Sequence, residues 1–406
     1  MRLLTTLAVA ASLFVVLPAT AAPTMPVPEP DLFFRAPADI ASYRPGQVIA
    51  SRPVDAAVFG LPLPVRAWQV KYRTTDSRLR PIATVTTVLV PQAAWQGPGP
   101  RPLVSYQTAE DGVAGRCAPS YALRAGFEGG FTGSFTETPI MAAALAKGWV
   151  LSVPDYEGPN SEFLVAGTQA RGVLDGIRAA RRFRPAGISA KAPVGVWGYS
   201  GGSLASVTAA QFQPTYAPRL KLTALALGGL LGDVRATIDA FSGSIGGGAI
   251  PMGINGFLRA YPRLRLMQYL SPSGQERVRE TSRDCLFDAA ARYPFLRVAD
   301  IEATPNALDA PPVARMLRQN SPLHIAGVPR VPVYEYHTVL DEFAPIGPAR
   351  ATLRKFCAQG VRVEYDEKLI GEHLTEIALG MGGALEFLTR RFAGQPARVN
   401  CARIPR

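Results

Sequence analysis

The sequence predicts an α/β fold: a mostly parallel sheet with helices on both faces, interrupted by one mainly helical insertion. Three observations carry this. From residue 102 onward, short apolar runs with strand character alternate with helix-like segments. The alternation stops between residues 233 and 326, where helix-like runs continue without a convincing strand, and then it resumes. Finally, Val194-Gly195-Val196-Trp197 ends in Gly198-Tyr199-Ser200-Gly201-Gly202 ahead of an Ala-rich run, which reads as strand, tight turn and helix with a serine at the tip.

The elements follow in order. Met1-Arg2 and an apolar stretch over residues 3–17 precede Ala19-Thr20-Ala21, the pattern of an export signal over residues 1–21. Residues 22–65 are proline-rich and unperiodic, and read as an arm lying on the surface. Residues 67–72 and 82–90 alternate apolar and polar side chains across a short turn, which predicts an antiparallel hairpin, and residues 102–106 form a third strand. Helix over 139–147, strand over 149–153, helix over 162–183, strand over 194–197, helix over 203–212 and strand over 222–227 come next. This first core segment spans residues 66–232. The insertion, a lid or cap, spans 233–326 and holds Gly246-Gly247-Gly248. The second core segment, 327–406, supplies strands over 331–337 and 361–365 and helices over 348–358 and 374–392.

Composition narrows the function. In 406 residues, 48% are hydrophobic and 18% charged, enough apolar side chain for a large core and too little charge for global disorder. The net charge of +12 comes mainly from arginine, but the arginines are scattered singly or in pairs, and nucleic acid is not the expected partner. The sequence does not reveal an oligomeric state. Beyond the signal no segment has 18 uninterrupted apolar residues. Four cysteines, Cys117, Cys285, Cys357 and Cys401, make an even count that in an oxidising compartment predicts two disulfides, with three possible connectivities. None has C-x-x-C spacing, so neither a metal nor redox chemistry is expected.

Gly198-Tyr199-Ser200-Gly201-Gly202 is the single G-x-S-x-G match. Ser200 has the setting of a nucleophile, because the motif must push the serine oxygen above the sheet, and Gly198 and Gly202 leave room for so sharp a turn. The same architecture orders the partners as serine, acid, histidine. Of three histidines, His373 lies between the last strand and the final helix, where the base belongs. His324 leaves the insertion and His337 ends a strand, places for structural or satisfied core histidines. Asp341 follows the preceding strand and is the expected acid; Glu342 is its neighbour, and Asp366 comes one strand too late. Oxyanion donors are expected from the N–H of Gly201 and from the loop over residues 107–112.

Several motifs resemble the secretory lipases of the fungal lipase A type and their bacterial relatives. They are Ser105-Tyr106-Gln107-Thr108-Ala109-Glu110-Asp111-Gly112 with Cys117-Ala118-Pro119-Ser120, Asp155-Tyr156-Glu157-Gly158-Pro159, Leu174-Asp175-Gly176-Ile177-Arg178, the Ser200 turn and the Asp341-Glu342 loop. The resemblance covers about residues 66 to 390. It implies an α/β-hydrolase fold with a helical lid, export, and hydrolysis of acylglycerols or other carboxylic esters without a cofactor. It places the triad on Ser200, Asp341 and His373 and the oxyanion donors on Asp111 and Gly201. It also implies pairing of Cys117 with Cys285 and of Cys357 with Cys401. The insertion departs from the family's lid sequences, so preferences for acyl-chain length do not carry over. The expected partner is a lipid or ester small molecule, with transient contact at a lipid interface. Acyl transfer, peptide hydrolysis, or a catalytically silent hydrolase fold that binds a surface are the alternatives.

Overall fold

The computed structural model describes residues 28–58, 61–125 and 132–406. The expected export signal, and the first residues of the expected arm, lie outside the described residues.

The core is a nine-stranded sheet among the described residues. In chain order its strands are β1 (Val48–Val54), β2 (Val65–Thr75), β3 (Pro81–Pro91), β4 (Leu103–Gln107), β5 (Val150–Pro154), β6 (Val194–Tyr199), β7 (Ala224–Gly228), β8 (Val333–Thr338) and β9 (Val363–Lys368). Their spatial order is β1-β2-β3-β5-β4-β6-β7-β8-β9. Pairing is antiparallel from β1 to β5 and parallel from β5 through β9. The helices that matter are α1 (Thr138–Ala146), α2 (Ala166–Arg182), α3 (Gly201–Tyr216), α4 (Val234–Phe241), α5 (Ala249–Ala260), α6 (Pro272–Glu280), α7 (Leu286–Arg292), α8 (Pro311–Gln319), α9 (Ile346–Ala358) and α10 (His373–Phe392). The sheet is that of an α/β-hydrolase fold.

Side chains of a strand point alternately to its two faces, and β6 shows the consequence. Val194 and Val196 join a core with Val173, Leu174 and Ile177 of α2 and Leu353 and Phe356 of α9. Trp197 and Tyr199 join the opposite core with Ile140 and Met141 of α1 and Phe387 and Leu388 of α10. Both faces are therefore covered, as buried parallel strands require. The parallel strands all run toward one edge, so the turns after β4, β6, β8 and β9 gather there.

Two differences from the sequence reading have a clear physical reason. Residues 48–54, in the stretch read as an unperiodic arm, form edge strand β1 against β2. Its residues are exposed or half-buried throughout and it contains Pro53, so no clean alternation marks it. The helix expected from residue 162 begins at Ala166, because Ser161 (φ 42°) and Leu164 (φ 62°) are left-handed and cannot sit in a right-handed helix.

Residues 233–326 hold helices α4 to α8, short 3₁₀ turns and no strand. They enclose their own apolar clusters, one of which includes Phe163, Leu164 and Leu204 from the sheet domain. A disulfide joins Cys117 to Cys285, at the start of α7, and a second joins Cys357 to Cys401.

Candidate active site

The turn between β6 and α3 is steric in origin. Ser200 is held at φ 51°, a left-handed value that costs a β-carbon residue energy and persists only where the surroundings enforce it. The surroundings are tight. A Cβ on Gly198 would lie 2.2 Å from the Gly202 carbonyl oxygen, and one on Gly202 would lie 1.9 Å from the Gln107 carbonyl oxygen. Only hydrogens fit there. The Ser200 N–H donates to the Gly228 carbonyl at 3.0 Å, which ties the turn to the end of β7. Ser200 is partly exposed, at the mouth of a cavity.

His373 meets it from α10. Its Nε2 is 2.8 Å from Ser200 Oγ, and its Nδ1 is 2.8 Å from Asp341 Oδ2. Asp341 Oδ1 accepts from the Phe343 N–H at 3.0 Å and the Ala344 N–H at 2.6 Å. The Asp341 carboxylate is fully buried. Burial opposes its charge, but the charge of His373 and hydrogen bonds from His337 and His373 hold it well below the usual carboxylate range. It is therefore an anion at any pH of interest. The structure thus brings Ser200, His373 and Asp341 into one hydrogen-bonded line.

The competing residues fall elsewhere. Glu342 points at the backbone, its Oε2 accepting from the His373 N–H at 3.0 Å. Asp366 accepts from the Tyr334 hydroxyl at 2.7 Å and pairs with Lys368. His324 pairs with Asp233 at 2.8 Å. His337 is buried against Glu335 and Ala344.

Gly201 opens α3, and the N–H of a first helical residue has no acceptor within its helix. Asp111 stands beside it: a Cβ on Gly201 would lie 1.8 Å from Asp111 Oδ1. Asp111 is left-handed at φ 29°, buried, and its Oδ1 has no hydrogen-bond partner. Burial raises its carboxyl to about 6, against the opposing charge of His373.

Of the groups that hold this loop, the sequence reading named Tyr106, Ser120, Asp155 and Tyr156 as motif residues without a role and left out Glu137. Glu137, at the junction before α1, accepts the Ala109 N–H at 2.6 Å and a hydrogen bond from the Tyr106 hydroxyl. Burial raises Glu137 to about 8 despite those bonds. The Tyr156 hydroxyl donates to the Thr108 carbonyl at 2.7 Å and accepts the Glu110 N–H. Asp155 accepts the Ser120 N–H and hydroxyl. The Asp155-Tyr156-Glu157 motif thus braces the loop of residues 107–112. On the far side of the site, the Tyr199 hydroxyl donates to the His373 carbonyl at 2.6 Å.

The site opens into a cavity of about 550 Å³ walled by Phe163, Leu164, Leu231 and, from the insertion, Ile238, Phe241, Ile250 and Phe287. Such a size and such walls suit an apolar small molecule. A smaller cavity of about 40 Å³ shares Leu164, Ile238, Ala249 and Ile250 and continues toward Leu266, Val313 and Leu317. No group of three metal-ligating side chains occurs among the described residues.

The family described as secretory lipase matches residues 128–400. Lipase 4 of Candida albicans is 32% identical over 95% of this chain and 85% of its own length. A Mycobacterium tuberculosis protein named "Probable inactive lipase MT1628" is 36% identical over 91% of this chain and 83% of its own length. The crystal structure of Candida antarctica lipase A in its closed state superposes with a TM-score of 0.85 at 29% identity, covering 94% of this chain and 90% of that one. A rice cell wall degrading esterase from Xanthomonas oryzae shares the fold at 16% identity, with a TM-score of 0.69.

Proposed function

Because the chain belongs to the secretory lipase family and is a carboxylic ester hydrolase, we propose that Ser200, His373 and Asp341 are its triad. The observation that carries the proposal is the unbroken line from Ser200 Oγ through His373 to Asp341, with Ser200 and His373 lining the apolar cavity.

The chemistry follows from the geometry. His373 Nε2 takes the Ser200 proton as Oγ attacks the carbonyl carbon of a bound ester. The developing oxyanion lies against the N–H groups of Gly201 and Asp111, fixed before the reaction starts. Asp341 selects the tautomer with the proton on Nδ1 and stabilises the imidazolium. His373 then protonates the leaving alcohol, and the acyl group remains on Ser200 until water, activated by the same imidazole, releases the acid.

The cavity selects the substrate class. Its walls suit a hydrocarbon acyl chain, and the smaller cavity extends its path between α4, α5 and α8. Helices α4 to α8 act as the lid or cap. Ile245 and Leu374 line the mouth and remain 63% and 46% exposed, and Leu340, Leu369 and Ile370 are exposed on the loops that lead into Asp341 and His373. This apolar rim is the surface for transient contact with lipid. Residues 1–21 direct export, to a periplasm or beyond the cell. Two disulfides agree with that compartment.

One relative carries the name of a probable inactive lipase. A silent reading of this chain has the connected triad against it. Hydrolysis of p-nitrophenyl esters from two to sixteen carbons tests both. Turnover is expected to fall about 10⁶-fold in Ser200→Ala and on the order of 10⁴-fold in Asp341→Asn. A folded wild type without hydrolysis, or a Ser200→Ala variant with near-normal turnover, removes the proposal.

A further inference from the structure

His337 has no part in the chemistry above, yet it lies against the acid of the triad. It sits on β8 two residues after Glu335, so both point to the same face. Both side chains are fully buried. His337 Nδ1 is 2.8 Å from Glu335 Oε1, and Nε2 is 2.8 Å from the Ala344 carbonyl oxygen and 3.4 Å from Asp341 Oδ2. With Glu335 ionised, each ring nitrogen faces acceptors only. A neutral imidazole has one N–H and one lone pair, so one contact would set a lone pair against an oxygen. Two N–H groups satisfy both.

We propose that His337 is a permanent imidazolium that positions Asp341, with Glu335 as its counter-charge, an inference that rests on the triad reading given above. Ala344 is the pivot of the arrangement. Its carbonyl takes the His337 Nε2–H while its N–H serves Asp341 Oδ1 at 2.6 Å. His337 therefore fastens the turn of residues 341–344 to the end of β8. It also shares Asp341 Oδ2 with His373, so two imidazoles divide one carboxylate oxygen.

The charges around it fit. Burial alone would discharge His337, but the charge of Glu335 and hydrogen bonds to Asp341 and Glu335 outweigh it and raise its pKa to about 10. On β9, Glu367 is in register with His337 and is bound by Arg350 of α9 at 2.7 Å. Glu376 of α10 feels His337 from the other face of the sheet. Glu335, His337 and Asp341 sum to one negative charge, the amount needed to balance His373 once it is protonated. Without Glu335 the sum is zero; without His337 it is two negative charges.

The first test is the ¹⁵N NMR spectrum of the imidazoles in the mature wild-type protein at pH 8. Three histidines make it assignable. Both nitrogens of His337 are expected to be protonated, while a neutral His337 at pH 8 overturns the proposal. This readout depends neither on turnover nor on any variant folding. The second test is the acid limb of the kcat/KM profile with a p-nitrophenyl ester. His337→Gln is expected to raise that limb, and Glu335→Gln to lower it, each by about one pH unit, the scale of a nearby charge. In the double variant the limb returns toward the wild-type value while kcat stays low, because the turn remains unfastened; KM is unchanged throughout. Folded variants that lose kcat with an unmoved limb would reduce His337 to packing and overturn the electrostatic role. Asp341→Asn, run alongside, separates the two readings. Wild-type turnover there removes the triad and with it the positioning role, whereas the nitrogen shifts still report the charge of His337.

Discussion

If the Asp111 N–H serves the oxyanion as proposed, its own carboxyl group stands where negative charge develops. It is buried beside Gly201, with Oδ1 unpartnered, and burial raises it to about 6. Below that value it is neutral and tolerates an oxyanion; above it a second negative charge faces the first. Turnover is therefore expected to fall as pH rises through about 6, and Asp111→Asn is expected to flatten that fall while keeping the N–H. A pH profile of kcat for both proteins decides, and a wild-type profile still rising through pH 8 counts against the argument. The Ser200, Asp341 and His373 positions were legible because glycine spacing, chain order and loop placement each constrain them. Glu137 was not, and Tyr156 and Tyr199 were legible as motif residues but not as the holders of the site. Their partners lie 31, 48 and 174 residues away in sequence, and nothing local marks a tyrosine that holds a carbonyl. For His337 there was a local signal, since Glu335 lies two residues earlier on a strand, the spacing that puts both on one face.

At the scale of elements, α10 shows how a helix start aims a side chain. Glu372 is its N-cap, accepting from the Leu374 N–H at 2.8 Å and the Thr375 N–H at 3.1 Å, while the Glu372 N–H donates to Thr375 Oγ1. His373 is the first residue of the helix. Glu372→Ala is expected to cost about 0.5–2 kcal/mol of stability, the ordinary value of a cap. It is also expected to lower kcat by more than KM changes, because His373 loses its fixed origin. Denaturant melts and steady-state kinetics measure the two effects, and an unchanged kcat would show that Tyr199 and Glu342 suffice to hold the imidazole. The helix's existence was plain from its apolar spacing. The late start of α2 was hidden, because two left-handed residues, Ser161 and Leu164, leave no compositional trace. Strand β1 was hidden because an edge strand half in water has no strict alternation.

Across the whole molecule, buried carboxyls shape stability. Asp111, Asp155 and Glu137 are raised to about 6, 7 and 8, and Glu110 and Glu157 are raised well above the ordinary value, in each case first by burial. A carboxyl whose folded pKa exceeds its unfolded one near 4 destabilises the fold when ionised. The fold therefore gains as pH falls from about 8 toward about 4. Asp341 is shifted the other way, so its contribution is present above about 4 and lost only in stronger acid. His337 contributes fully below about 6.5 and is lost as pH rises through about 10. The thermal midpoint is accordingly expected to be highest near pH 5 and to fall steadily toward pH 10. Scanning calorimetry across that range checks it, and a maximum at alkaline pH would contradict the assignment. The layout of the sheet was legible from the alternation of strands and helices. The charge burden inside it was not, because burial is a property of the folded whole.

The bond between Cys117 and Cys285 has a mechanical consequence. Next to it, the Leu286 N–H donates to the Asp111 carbonyl and the Val113 N–H to the Asp284 carbonyl. The start of α7 is thus leashed to the segment that carries Asp111. Moving α7 would therefore move the segment that places Asp111 beside Gly201. The corner is a fixed post, held by one covalent bond and two backbone hydrogen bonds, whereas Phe241 of α4 meets Phe343, in the turn after Asp341, by ring stacking at 4.8 Å.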